Sequence, residues 1–459
     1  VTASLWTLES EFGHDAFLAD QARLAAVLRD AGCFAAGRDP RQGGLVAGNR
    51  PMKPSLATAS EVTRRLHQPI DANAPYLHPE RRSLQRDLGS SAQVHAWQAA
   101  KAACLEGGGV WSDLPHLYAR YGNPGAATLI AALRELEHAR CALVTDSGMQ
   151  AIALVVDALV EPGTHAVVMR QVYNKTRAFL ELTARRVGAG LTLVDDGDDT
   201  AVEAALRPET RIVLAETYTN PLMRAQDIPR LVELVRRVPG ARLVIDSTIA
   251  TPWGLRAPLL QAGVAVVASS LTKALGGEDV VLGGYLATDD VALANQIQDL
   301  LAMRGGILDD DSASRVAAGL ARAEAMHARR CDTAARVAAF LAAHPRVAQV
   351  CHPSRPDHPD AAVIARDYTR LGSLLSFRVR GIDEAGHGEI ADRIASCGII
   401  RYALSFDGLV SKVNHHRTVS EYRTPVETIE RLGIDRLIRL GVGLEDADDV
   451  IACLAWGLA

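Results

Sequence analysis

Short apolar runs punctuate the chain from about Arg140 onward: CALVT, HAVVM, LTLV, RIVLAET, RLVIDS, VAVVASS and VLGGYLA. Each has the length of a β-strand, and most carry Val, Ile or Leu on successive positions rather than alternate ones. Continuous apolarity marks strands covered on both faces, as in a parallel sheet. Between them, MQAIALVVDALV, NKTRAFLELTARRV and IPRLVELVRRV space their apolar residues at helical intervals. Alternating strand and helix predict an α/β layered domain with a mostly parallel sheet. After about residue 310 an Ala/Arg-rich stretch reads as one long helix to about His344. A smaller mixed section follows, with strand candidates GSLLSFRVR, GIIRYALS and RLIRLGVG and a closing helix. Upstream, ESEFGHDAFLADQARLAAVLRDAG predicts an amphipathic helix, AGRDPRQGGLVAGNRPMKP a loop, and SAQVHAWQAAKAACLEG a second helix. The expected organisation is an N-terminal extension over 1–75, a large domain over 76–310 and a smaller C-terminal α/β domain over 311–459.

Composition narrows the class. Hydrophobic residues are 48% and charged residues 22%, the balance of a globular protein with a large core. The net charge of −5 comes without any Lys/Arg run, so neither a nucleic acid nor a membrane surface is expected as partner. No apolar run approaches the roughly 20 residues of a membrane span. Seven scattered cysteines without a CxxC pair favour reduced thiols in a cytoplasmic protein over a disulfide framework or a zinc site. VTASLWTLESEF has no basic region followed by an apolar core, so no signal peptide is expected.

Ligands of open α/β sheets bind beyond the carboxyl ends of the strands. Three of those ends carry chemistry. After CALVT, Asp146-Ser147-Gly148-Met149 opens a helix, which suits an anion such as phosphate or simply starts the helix. After RLVI, the carboxylate of Asp246 needs a metal, a helix to cap or a protonated ring nitrogen. After VAVVA come Ser269, Ser270, Leu271, Thr272 and Lys273. A lysine entering a buried strand end loses solvation and becomes a nucleophile; on a surface it would merely snorkel. In extended chain Ser270 and Thr272 share one face. A phosphate cradle, a buried carboxylate and a desolvated lysine in this order are the requirements of pyridoxal 5′-phosphate.

The ordered motifs from about residue 115 to 459 resemble the Cys/Met-metabolism, or trans-sulfuration, group of fold-type I pyridoxal-phosphate enzymes. The resemblance implies their two-domain fold. LYARYGNPG is similar to the stretch whose Tyr and Arg, here Tyr118 and Arg120, reach the cofactor phosphate of a neighbouring subunit. In extended chain those two also point the same way. DSGMQA implies phosphate binding by the Gly148 and Met149 amides, and VYNKT a ring-stacking Tyr173. ETYTNPLM carries Glu216 and Asn220, the latter near the ring hydroxyl. VIDSTIATP supplies Asp246 for the ring nitrogen with Thr248 beside it, and SSLTK supplies Ser270, Thr272 and the Schiff-base Lys273. RLIRLGVGLED implies that Arg439 binds the substrate α-carboxylate, a contact that suits a guanidinium.

The substrate-facing segments depart from the family pattern. GGED stands where GGHSD is usual after the lysine, Gly125 replaces the Thr after Gly-Asn-Pro, and LDDDSAS replaces a Pro-containing segment. Lys175 stands two residues beyond the stacking tyrosine. RYALSFDGLVSKVNHH replaces the substrate loop, with Ser405 as its substrate-facing candidate. His415 and His416, beside it, read as solvated loop histidines. The resemblance implies a lyase or transferase of small amino acids, with Lys273 and Tyr173 catalytic and no metal. The expected reaction is γ-elimination or γ-replacement on a homoserine-type or sulfur-containing amino acid. The alternatives are β-elimination, as in a cystathionine β-lyase, and a non-catalytic cofactor-binding regulator. A homotetramer, a dimer of dimers, is the expected assembly.

Overall fold

The computed structural model describes residues 88–459. The amphipathic helix and loop expected upstream lie outside the described residues. The helix expected over SAQVHAWQAAKAACLEG spans Ser91–Glu106, with the Ser90 side chain accepting from the Gln93 amide to cap it.

Seven strands form the first sheet: β1 Cys141–Thr145, β2 His165–Met169, β3 Gly190–Val194, β4 Thr210–Glu216, β5 Arg242–Asp246, β6 Val266–Ser270 and β7 Gly284–Thr288. Their spatial order is β1-β7-β6-β5-β4-β2-β3. The run from β6 to β3 is parallel throughout, as the continuous apolarity predicts, while β7 lies antiparallel between β1 and β6. Helices cover both faces, so interior residues such as Ile212, Val213 and Leu214 are wholly buried. Each contributes about 1.5–3 kcal/mol relative to exposure. β3, at the edge, is only half-buried over most of its length.

The second sheet joins β8 Val347–Cys351, β9 Leu374–Val379, β10 Arg401–Tyr402, β11 Lys412–His415 and β12 Ile438–Gly441 in the order β10-β11-β12-β9-β8. All its pairings are antiparallel except β10 with β11. β10 is shorter than GIIRYALS suggests. The chain leaves the sheet at Ala403, because the next carbonyl, that of Leu404, accepts from Arg439 instead.

The long helix Asp310–Ala343 serves both cores. Ala313, Val316 and Leu320 pack into the core of the first sheet, and Ala334, Val337 and Leu341 into that of the second. Among the described residues no helix is long and apolar enough to cross a membrane.

Candidate active site

The carboxyl ends of β1, β4, β5 and β6 open on one cavity of about 410 Å³. Past β1, Ser147 caps the helix Gly148–Leu159 by accepting from the Gln150 amide. The first amides of that helix have no partner within it and face the cavity with the positive end of the helix dipole. Gly148 is required by space. A Cβ there would lie 3.0 Å from the Cβ of Ser270 and 3.1 Å from its Cα. Close approach of β6 and the helix start thus leaves room for an anion and none for a side chain.

Asp246 and Glu216 end neighbouring strands in register with each other. Glu216 is buried and accepts from the Tyr173 amide at 2.6 Å. Burial and the adjacent Asp246 carboxylate push it well above the usual carboxylate range. Burial also raises Asp246, against two hydrogen bonds that favour its ionised form: the Thr248 amide donates at 2.9 Å and the Thr248 hydroxyl at 2.6 Å. Thr248 in turn accepts from the Ser270 amide at 3.0 Å, tying the β5 and β6 ends together. Lys273 also lowers the pKa of Asp246 through space, and both groups line the cavity.

Lys273 does not continue in extended chain. After Ser270 the backbone winds into a single helical turn, Leu271–Leu275, in which Lys273 breaks the helical geometry at φ −91°, ψ −131°. The shared face expected for Ser270 and Thr272 is therefore not an extended-strand face. Thr272 donates its hydroxyl to the Gly283 carbonyl and accepts from the Gly283 amide; both side chains still line the cavity. The turn forms because the Gly276 amide reaches back to the Leu271 carbonyl at 2.8 Å. Lys273 Nζ donates to Ser405 Oγ at 2.5 Å and lies 5.0 Å from the Phe406 ring centroid. Burial lowers its pKa, which favours the neutral, nucleophilic amine.

Arg439, on β12, points into the cavity and is almost wholly buried. It donates to Asn220 Oδ1 at 3.2 Å and to the Leu404 carbonyl at 2.7 Å. Neither partner is a carboxylate, and burial pulls the guanidinium down to about 10. A buried cation without a counter-ion, in an open cavity, is an anion receptor.

Two expectations do not hold. Tyr118 and Arg120 are not aligned along an extended segment. The Tyr121 amide bonds the Tyr118 carbonyl at 2.8 Å, closing a tight turn over Ala119–Tyr121 just before the Asn123 cap of the next helix. Neither residue lines this cavity; Arg120 donates to the Ala302 carbonyl at 2.5 Å and Tyr118 is 37% exposed. His415 and His416 are not solvated but buried. His415 bonds Glu384 and Thr418, both at 2.7 Å. His416 is pushed down to about 3 by burial and by Arg439, so it is neutral.

The residues that line the cavity also lie within a sequence match. Residues 97–459 fit the family model described as Cys/Met metabolism PLP-dependent enzyme. The chain belongs to this family. Two similar proteins are an L-methionine gamma-lyase of Fusobacterium nucleatum subsp. polymorphum and a cystathionine gamma-synthase of Mycobacterium tuberculosis. The first is 31% identical over 75% of this chain and 86% of its own. The second is 34% identical over 74% of this chain and 86% of its own. The solved cystathionine gamma synthase of Xanthomonas oryzae pv. oryzae, in complex with cystathionine, superposes with a TM-score of 0.78 at 26% identity, over 88% of this chain and 98% of that one. The fold is accordingly fold-type I, and pyridoxal 5′-phosphate is the family's cofactor.

The cavity fits that cofactor on its own evidence. Gly148 and Met149 line the cavity at a helix N-terminus, which favours an oxyanion. Asp246 is a buried carboxylate facing the cavity, and burial lowers the pKa of the Lys273 amine beside it. Sequence reasoning had not found the wall formed by Phe406, Leu282 and Val419, which also line the cavity. Single apolar residues on loops carry no periodic signal.

Proposed function

We propose that this Cys/Met-metabolism enzyme catalyses γ-elimination or γ-replacement on a homoserine-type or sulfur-containing amino acid. The observation that carries the reading is one cavity holding a buried lysine, Lys273, beside a buried guanidinium without a carboxylate partner, Arg439. Similarity to a methionine gamma-lyase and to cystathionine gamma-synthases supports the γ-position as the site of chemistry.

In this reading the amides of Gly148 and Met149, with Ser270 and Thr272, bind the cofactor phosphate. Asp246, kept in place by Thr248, holds the ring nitrogen protonated; Tyr173 stacks on the ring, and Asn220 faces its hydroxyl. Bound there, the cofactor supplies an electron-withdrawing ring that stabilises negative charge at the substrate α-carbon. Arg439 grips the α-carboxylate in a two-pronged contact and so fixes the direction of the Cα–H bond. Lys273 would take the Cα proton, hand it on to the conjugated system that the cofactor supplies, and, neutral again, take a Cβ proton, the electron pair of that C–H bond expelling the Cγ substituent. Tyr173 donates a proton to the departing group. Ser405, bonded to Lys273 Nζ, steers the amine between these positions.

The assembly belongs to the same proposal. Tyr118 and Arg120 lie away from their own cavity, which is where residues completing a partner's phosphate site would lie. A homotetramer built as a dimer of dimers satisfies that by symmetry. A cytoplasmic location and a boundary at the start of the long helix, 310/311, complete the reading.

Proton exchange in deuterium oxide, watched by NMR on a slow substrate, tests it. A γ-acting enzyme exchanges both Cα and Cβ protons. Exchange at Cα alone, with pyruvate as product, establishes β-elimination instead.

A further inference from the structure

Two of the segments that depart from the family pattern, GGED and the loop around SFDGLVSK, are far apart in sequence and meet in space. Lys412, buried on β11, donates to Asp279 Oδ2 at 2.5 Å and to the Asp407 carbonyl at 2.7 Å. Arg330, wholly buried on the long helix, donates Nε to the Gly408 carbonyl at 2.9 Å and a second nitrogen to the Gly277 carbonyl. Each cation therefore bonds both loops. The loops also touch directly, since a Cβ on Gly408 would lie 2.9 Å from the Cβ of Asp279 and 3.1 Å from Lys412 Nζ.

The backbone here is held in a disfavoured form. Asp279 and Asp407 both adopt the left-handed region, at φ +62° and +60°, which costs residues with a Cβ about 1 kcal/mol or more. Such conformations persist where the surroundings over-determine them. The bonds from Lys412, and that from Ser373 to the Asp407 carboxylate, supply the determination. Immediately before Asp407 stand the three residues that wall the active site: Leu404, whose carbonyl holds Arg439; Ser405, bonded to Lys273; and Phe406, against the Lys273 amine.

We propose that Lys412 is a positioning residue, a latch that through Asp279 and the Asp407 carbonyl sets the place of Ser405 over Lys273. Arg330 is its buried second strut. The proposal rests on the reading of Lys273 as the reacting amine, and its charges are felt there: Lys412 lowers and Asp279 raises the pKa of Lys273, both less than burial does.

The test is a double-mutant cycle on the holoenzyme, combining Lys412→Met with Ser405→Ala. Lys412→Met keeps the stem and removes the charge. It is expected to lower kcat/KM about tenfold in the wild-type background and less than about twofold once Ser405→Ala is present, because the latch then has nothing to place. Lys412→Arg restores the rate to within about threefold. Hydrogen exchange of the cofactor-free protein gives an activity-independent readout: faster exchange confined to 276–283 and 403–411. Should Lys412→Met not fold, Asp279→Asn, at the more exposed end of the ion pair, carries the same cycle. Additive losses, or loops whose exchange is unchanged, overturn the latch. If no amino acid is turned over, the functional reading fails while the exchange result still decides the latch.

Discussion

Replacing Arg439 by Met should separate binding from stability. The guanidinium is 3% exposed and has no carboxylate partner. Its displacement from 12.5 to about 10 corresponds to roughly 3 kcal/mol against the charged form. At neutral pH the group is still protonated, so the native state bears that cost in full; it is relieved only as pH rises through about 10. Arg439→Met removes the cost and leaves the Leu404 carbonyl and Asn220 Oδ1 without a donor, a loss of about 1–3 kcal/mol when such groups stay dry. The two nearly cancel, and the thermal midpoint should move by no more than about 3 °C in either direction. Substrate binding is different. A desolvated guanidinium–carboxylate pair broken on one side costs about 3–5 kcal/mol, or roughly 10²- to 5 × 10³-fold in kcat/KM. Arg439→Lys keeps the charge without the fork and should fall between. Steady-state kinetics with any turned-over amino acid, beside calorimetry and the visible absorbance of the bound cofactor, measure all three. A variant within tenfold of wild type in kcat/KM places the carboxylate elsewhere. A fall of 10 °C or more would make Arg439 a structural residue and sink the receptor argument.

Lys273→Ala should abolish the visible band of the holoenzyme, and borohydride followed by peptide mapping should label Lys273 in the wild type; label on another lysine overturns the assignment. Gly148→Ala, whose new Cβ would press on Ser270, should weaken retention of the cofactor at least about tenfold in dialysis while leaving the fold intact. Arg120→Ala should weaken cofactor retention without unfolding the subunit. A fully active monomer in sedimentation would exclude any role for Arg120 across an interface.

The sheet was legible because its parallel strands are apolar at every position, and burial on both faces is the physical cause of that pattern. The three strand ends were legible for the same reason: polar residues there interrupt an apolar run, as Asp246 does after RLVI. Tertiary burial of polar sequence was not. NHH on either side of a sheet edge would be solvated, yet β11 lies between β10 and β12, and His415 and His416 are buried with it. The pairing of Lys412 with Asp279 was equally invisible, since no local period links residues so far apart. The turn at Ala119–Tyr121 was missed because it hangs on two backbone hydrogen bonds, which any residue but proline can make.

The strand order has a consequence for synthesis. β1 sits at the end of the sheet, and among the described residues its one neighbour there is β7. Until the ribosome has passed Thr288, the segment Cys141–Thr145 emerges with no strand to join, and the turn it carries is unsupported. The backing of that turn is itself β7: a Cβ on Gly284 would lie 2.5 Å from the Gly148 amide nitrogen. The nascent chain therefore waits with apolar strands uncovered, the circumstance in which chaperones are recruited. Closing so long a loop also slows folding. On the role proposed for Arg439, a message truncated before it yields a chain that cannot hold its substrate.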